Sequence, residues 1–146
     1  MERHWARAII GGFVGTLVMT AVGLWVAPFM GIPKMNPADM LAGAMGGNVA
    51  LGWAGHLMIG VILALIYVVV APRLPGAPPV RGAVYALAPW LVAMLAVMPM
   101  MGMPVFGGAA ATAIGSLIGH LVYGATLGAI YGQPKAVGTP QVVVHA

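Results

Sequence analysis

The sequence predicts an all-α integral membrane protein, an up-down-up-down four-helix transmembrane bundle built from two tandem αα-hairpin repeats. Three observations predict it. The chain is 62% hydrophobic and 5% charged. Four apolar runs reach the length of about 20 residues that crosses a bilayer. Two motifs recur in order along the chain, one near each end of a hairpin.

Composition sets the class. Six basic and two acidic residues in 146 cannot keep a soluble surface wet, since soluble domains carry about a quarter charged residues. The mean hydropathy is +1.02. The apolar surface must therefore face lipid. The 22 glycines sit largely inside apolar runs, where small residues let membrane helices approach closely. The absence of cysteine excludes disulfides, thiolate metal sites and cysteine nucleophiles.

The four spans run over about Ala8–Phe29, Val49–Val70, Gly82–Met101 and Ala109–Tyr131. The first is longer than the apolar core of a signal peptide and lacks a small-x-small cleavage site, so it reads as a retained span. Between the first two spans, Asn36 suits a helix N-cap and Pro37 a first helical position. A short helix over about 37–45 is expected there, lying at the outer interface. Arg3, Arg7, Arg73, Arg81 and Lys135 fall on one side, and Lys34 alone on the other. Both termini are therefore expected in the cytoplasm. The domain reading is a single bundle over 1–132, with repeats at about 7–70 and 81–131, and a flexible tail over 133–146.

The repeat rests on two motifs. Gly55-His56-Leu57 opens a segment G-H-L-x-x-G-x-x-L-x-x-I-Y that ends at Tyr67, and the same pattern runs from Gly119-His120-Leu121 to Tyr131, 64 residues later. P-x-M-G-x-P stands at Pro28–Pro33 and again at Pro99–Pro104, 71 residues apart. Each unit holds two spans, so the halves point the same way and relate by an axis along the membrane normal. Short connections favour antiparallel neighbours, which puts the second and fourth spans on a diagonal. His56 and His120 each stand 11 residues from their tyrosine. At 1.5 Å per residue that is ~16 Å, near the midplane of a ~30 Å core.

A histidine in an apolar span is costly and marks a site. Three readings compete. The pair is structural, each neutral ring bonding a carbonyl, a water or its partner. Alternatively His56 and His120 are axial ligands of a b-type haem, with Gly52, Gly55, Gly60, Gly115, Gly119 and Gly124 giving a flat macrocycle room at the backbone. The third is a small metal or proton site, although no Asp or Glu lies in any span. Methionines gather toward the outer side, and Met30, Met98, Met101 and Met103 are weak copper candidates, because thioethers suit Cu(I). Methionine is also an ordinary gap-filler. Ser116 lies one turn before His120, where its hydroxyl can reach the imidazole. Gly11-x-x-x-Gly15, Gly115-x-x-x-Gly119 and Gly124-x-x-x-Gly128 read as close-approach faces, within the bundle or between subunits.

Gly15, Thr16, Val18, Met19 and Thr20 in the pattern G-T-x-V-M-T, the twin P-x-M-G-x-P ends and the two G-H-L-x-x-G segments together resemble an uncharacterised family of small bacterial four-helix inner-membrane proteins of unknown function. The resemblance covers about Arg7–Tyr131. It implies a multi-pass protein of the bacterial inner membrane and brings no established activity or ligand.

No carboxylate pair, nucleophile–base pair, phosphate loop or zinc motif is present, so catalysis is not expected. The sequence reading is a non-catalytic accessory subunit of a membrane complex, with a respiratory or redox complex as the expected setting. Its alternative is a bis-histidine haem b electron-transfer protein, and a lesser alternative is copper or small-ligand handling or transport. Expected partners are the lipid bilayer and other membrane subunits or further copies of the chain, and not nucleic acid.

Overall fold

A computed structural model describes residues 4–133. Arg3, Lys135 and all but the first position of the tail at 133–146 lie outside the described residues. Helices and turns make up the fold, with no strand among the described residues. Four helices are long and apolar enough to cross a membrane: Trp5–Met30, Val49–Arg73, Pro78–Met100 and Ala110–Tyr131.

Helix α1 (Trp5–Ala21) runs on through a π turn, Val22–Val26, and a 3-10 turn, Ala27–Met30, to Gly31 at φ +73°. Helix α4 (Pro78–Val92) runs on through a π turn, Ala93–Val97, into a last turn α5 (Met98–Met100). Pro28 and Pro99 cause both endings. A proline has no N–H for the carbonyl four residues back, so the ladder ahead of it loosens. The two π turns begin at Val22 and Ala93, 71 residues apart, the spacing of the two P-x-M-G-x-P motifs.

Helix α2 (Pro37–Ala44) starts where Asn36 Oδ1 accepts from Ala38 N–H at 3.1 Å. It is packed onto the bundle, because it buries Ala38 and Ala42 against Gly52 of α3. Helix α3 (Val49–Val70) has the predicted bounds, its start capped by Asn48. Helix α4 begins four residues before the predicted Gly82, because Pro78 and Pro79 suit the first helical positions. Arg81 is thus inside the helix, with its guanidinium donating to the Leu74 and Gly76 carbonyls. Helix α6 (Ala110–Tyr131) begins one residue late.

Three of the four seams between these helices are built on small residues. On the α1–α3 seam, a Cβ on Gly12 would meet Gly60 and Ala64, and one on Gly60 would meet Thr16. On the α4–α6 seam, Gly82 faces Gly124 and Gly128, and Gly124 also faces Ala86. The two seams correspond at offsets of 70 residues (Gly12 to Gly82, Thr16 to Ala86) and 64 residues (Gly60 to Gly124, Ala64 to Gly128). On the α1–α6 seam, Gly11 meets Leu127, Gly15 meets Tyr123, and Gly119 meets Met19. Partner numbers fall as the first number rises, so each seam is antiparallel.

The fourth seam is different. Helices α3 and α4 barely touch, although only the short segment 71–77 joins them. Their facing residues explain it. Ile59, Leu63 and Ile66 of α3 and Val84 and Val92 of α4 are bulky and line the space between the two helices, which keeps the axes apart. The ring of helices is therefore open along one side. Near the termini the interior is packed, with Tyr67 centred 5.2 Å from Tyr85 and 5.4 Å from Tyr131, beside Ala64, Val68 and Leu127.

Candidate functional site

The open seam leads into a cavity of about 610 Å³, the size range of small-molecule sites. Pro37, Met40 and Leu41 of α2 contribute to its wall at the end near the start of α3. Along α3 it is lined from His56 to Val70, 14 residues or roughly 21 Å of helix. His56 and His120, on the diagonal helices, both line it. Among the described residues, no charged side chain does.

His56 is buried, and its Nε2 lies 3.0 Å from Thr20 Oγ1. The single hydroxyl hydrogen of Thr20 goes to the Thr16 carbonyl at 2.8 Å, a bond one helical turn back. Thr20 Oγ1 can then only accept, so His56 Nε2 carries the ring hydrogen and Nδ1 keeps the lone pair. His120 is the reverse. Its Nδ1 lies 2.8 Å from the Ser116 carbonyl oxygen, which only accepts. Nδ1 therefore carries the hydrogen, and Nε2 keeps the lone pair. The Ser116 hydroxyl, at 3.5 Å from Nδ1, is too distant to compete with that carbonyl.

The other hydroxyls on the cavity wall are committed to backbone. Thr16 donates to Gly12 O at 2.7 Å. Tyr85 of α4 donates to Leu63 O at 2.7 Å, across the open seam. Tyr123 of α6 donates to Gly60 O at 2.6 Å, across the diagonal. Of the polar side chains on the wall, the two imidazoles each keep a lone pair and Ser116 keeps its hydroxyl, in an otherwise apolar surround.

Of the six glycines considered for a macrocycle, Gly60 alone lines the cavity. Gly52 and Gly55 look toward α2 and Met45, Gly115 toward Ile32 and Met35, Gly119 toward Met19, and Gly124 toward α4. They serve helix approach. Of the copper candidates, Met98 and Met101 line the cavity. Met30 is 59% exposed, and neither it nor Met103 is on the wall. Met19, Met35, Met40 and Met94, which were not among the copper candidates, are on it.

Residues 2–141 match the model described as "Family of unknown function (DUF6789)". The chain belongs to this family. The match takes in both histidines and all four long helices, so the DUF6789 model spans the whole of the site just described. No curated protein and no solved structure matches the chain.

Sequence reasoning missed Thr20 as the partner of His56. It stood in the G-T-x-V-M-T segment, one turn after Thr16, and two hydroxyls on one face of an apolar helix were the available signal. Tyr85 and Tyr123 were missed as well, because a tyrosine reads alike in a core and at a cavity wall.

Proposed function

We propose that the chain is a non-catalytic membrane protein, an accessory subunit that holds a mostly apolar ligand between its spans. The observation that carries this reading is the cavity of about 610 Å³ behind the seam at which α3 and α4 barely touch. In a bilayer that seam faces lipid, so a ligand reaches the site sideways, from the membrane. Among the described residues, only neutral groups line the site. The basic flanks support a bacterial inner-membrane protein with both termini in the cytoplasm. The matched π turns and matched glycine seams support a duplicated hairpin as the origin of the bundle.

The accessory role is tested by purification in a gentle detergent. The reading expects partner membrane chains at fixed stoichiometry. A lone monodisperse species would count against it.

A b-type haem is the second reading, and one observation favours it. His120 donates Nδ1–H to a backbone carbonyl and keeps Nε2 free, the arrangement in which metal-ligating histidines are held. His56 would have to release Thr20 before its own Nε2 could bind iron. A visible spectrum separates the readings. A Soret band that is lost in His120→Ala supports haem, and a colourless folded protein rules it out.

A further inference from the structure

We infer that the ligand of this cavity is an apolar, chain-bearing molecule whose neutral head carries an O–H donor, and that His120 Nε2 accepts that hydrogen bond. The inference rests on the ligand-holding reading above and names the chemistry of the ligand. Four observations lead to it.

The first is shape. A lining that follows α3 from His56 to Val70, roughly 21 Å, suits a tail and is far more room than an ion needs. The second is charge. With no Lys, Arg, Asp or Glu among the described residues on the wall, neither a phosphate nor an ammonium head is matched there, since a buried charge needs a partner. The third is hydrogen-bond polarity. Thr16, Tyr85 and Tyr123 spend their hydrogens on backbone carbonyls. Both imidazoles spend their N–H groups, His56 on Thr20 and His120 on Ser116. What the rings retain is lone pairs; apart from the Ser116 hydroxyl, which can donate as well as accept, the polar groups left on the wall are acceptors, and acceptors select a donor. The fourth is adaptability. Six methionines line the space, and flexible thioethers repack around an irregular apolar tail.

Of the two rings, His120 is the better placed to read a head group. His56 is held on α1 by Thr20, whereas His120 is bonded only within its own helix and keeps Nε2, the nitrogen farther from the backbone, as its acceptor. Membranes supply two sources of such a molecule, a hydroquinone lipid with a phenolic O–H and a diacylglycerol with an alcohol O–H. The same acceptor serves both.

The test uses the full chain in lipid nanodiscs. Binding of 2-decyl-1,4-hydroquinone is measured against its benzoquinone form and its dimethyl ether, which share size and tail but have no donor. The hydroquinone should bind at least tenfold more tightly than either, and the ¹⁵N signal of His120 Nε2 should move on binding. His120→Phe should leave the three equal. Didecanoylglycerol is run against its acylated form in parallel, and the tighter of the two free-hydroxyl molecules identifies the source. Equal binding of the hydroquinone, quinone and ether, or a preference that survives His120→Phe, overturns the inference while the ligand-holding reading stands. No binding of any of these molecules to the folded protein overturns both. Displacement of the hydroquinone by one equivalent of copper(I) also overturns the inference, because it assigns the imidazoles and thioethers to a metal.

Discussion

Thr20 Oγ1 lies 3.0 Å from His56 Nε2, and the two residues belong to different spans. Because the Thr20 hydrogen is held by the Thr16 carbonyl, this contact sets which ring nitrogen of His56 is protonated. The paired histidine of the second half is set the opposite way by Ser116. Two histidines in matching motifs therefore present different nitrogens. Solid-state or solution ¹⁵N spectra of histidine-labelled protein check this directly. They should show one buried imidazole protonated at Nε2 and one at Nδ1, with His56→Gln removing the former and His120→Gln the latter. Identical tautomers would contradict the account.

Replacing Thr20 tests the energetic side of the same contact. Thr20→Val keeps the shape and removes the oxygen, leaving the His56 N–H buried without an acceptor. A loss of about 1–3 kcal/mol is expected. Thr20→Ser keeps the oxygen and should recover most of it. Chemical unfolding in mixed micelles gives both values, and equal stabilities for the two variants would show that the contact carries no weight.

The glycine seams make a sharper steric prediction. Gly82 lies against the Gly124 carbonyl, so Gly82→Leu must force α4 and α6 apart. Overpacking of this kind costs roughly 1–3 kcal/mol. Gly43, in α2, has nothing near its missing Cβ. There Gly43→Ala should be neutral or stabilising by up to about 1 kcal/mol, from helix propensity. Thermal unfolding midpoints of the two variants should therefore move in opposite directions or in one direction only for Gly82→Leu.

Tyr85 bonds Leu63 across the open seam, and Tyr123 bonds Gly60 across the diagonal. Tyr123→Phe should cost about 0.5–1.5 kcal/mol and leave ligand exchange unchanged. Tyr85→Phe should cost a similar amount and also quicken exchange, since it releases a hydrogen bond between α3 and α4. Exchange rates of a bound fluorescent fatty alcohol distinguish the two. A faster rate in Tyr123→Phe alone would place the opening at another seam.

The chain has no cysteine, so single introduced cysteines report sidedness cleanly. Ala77→Cys, in the exposed connection before α4, should react with an impermeant maleimide only in inside-out vesicles. Val105→Cys, 52% exposed at the other end, should react only in right-side-out ones. The reverse pattern would invert the proposed orientation.

The helices were legible because their signals are local. Asn48 ahead of a long apolar run marks the start of α3, and Asn36-Pro37 marks the start of α2. The start of α4 was read late because Arg81 looks like a flank, whereas its guanidinium folds back over the preceding turn. Helix order was partly legible. The diagonal placement of the two histidine helices follows from short loops, but the open seam does not. Ile59 or Leu63 has the same apolarity whether it faces lipid, a neighbour or a cavity. Nor does a glycine announce its partner: Gly60 faces α1 and Gly52 faces α2, though both stand on α3. The Thr20–His56 pair escaped for the same reason, since it joins positions 36 apart whose register depends on how the α1–α3 seam closes.

The central claim is that the space behind the α3–α4 seam holds a ligand taken from the membrane. Native mass spectrometry of the protein released from nanodiscs tests it most directly, with Ala88→Trp as the comparison, because Ala88 lines the cavity and an indole there fills it. The account predicts one tightly held apolar molecule on the wild-type chain and none on Ala88→Trp, with both proteins equally folded. The same bound complement on both would contradict it.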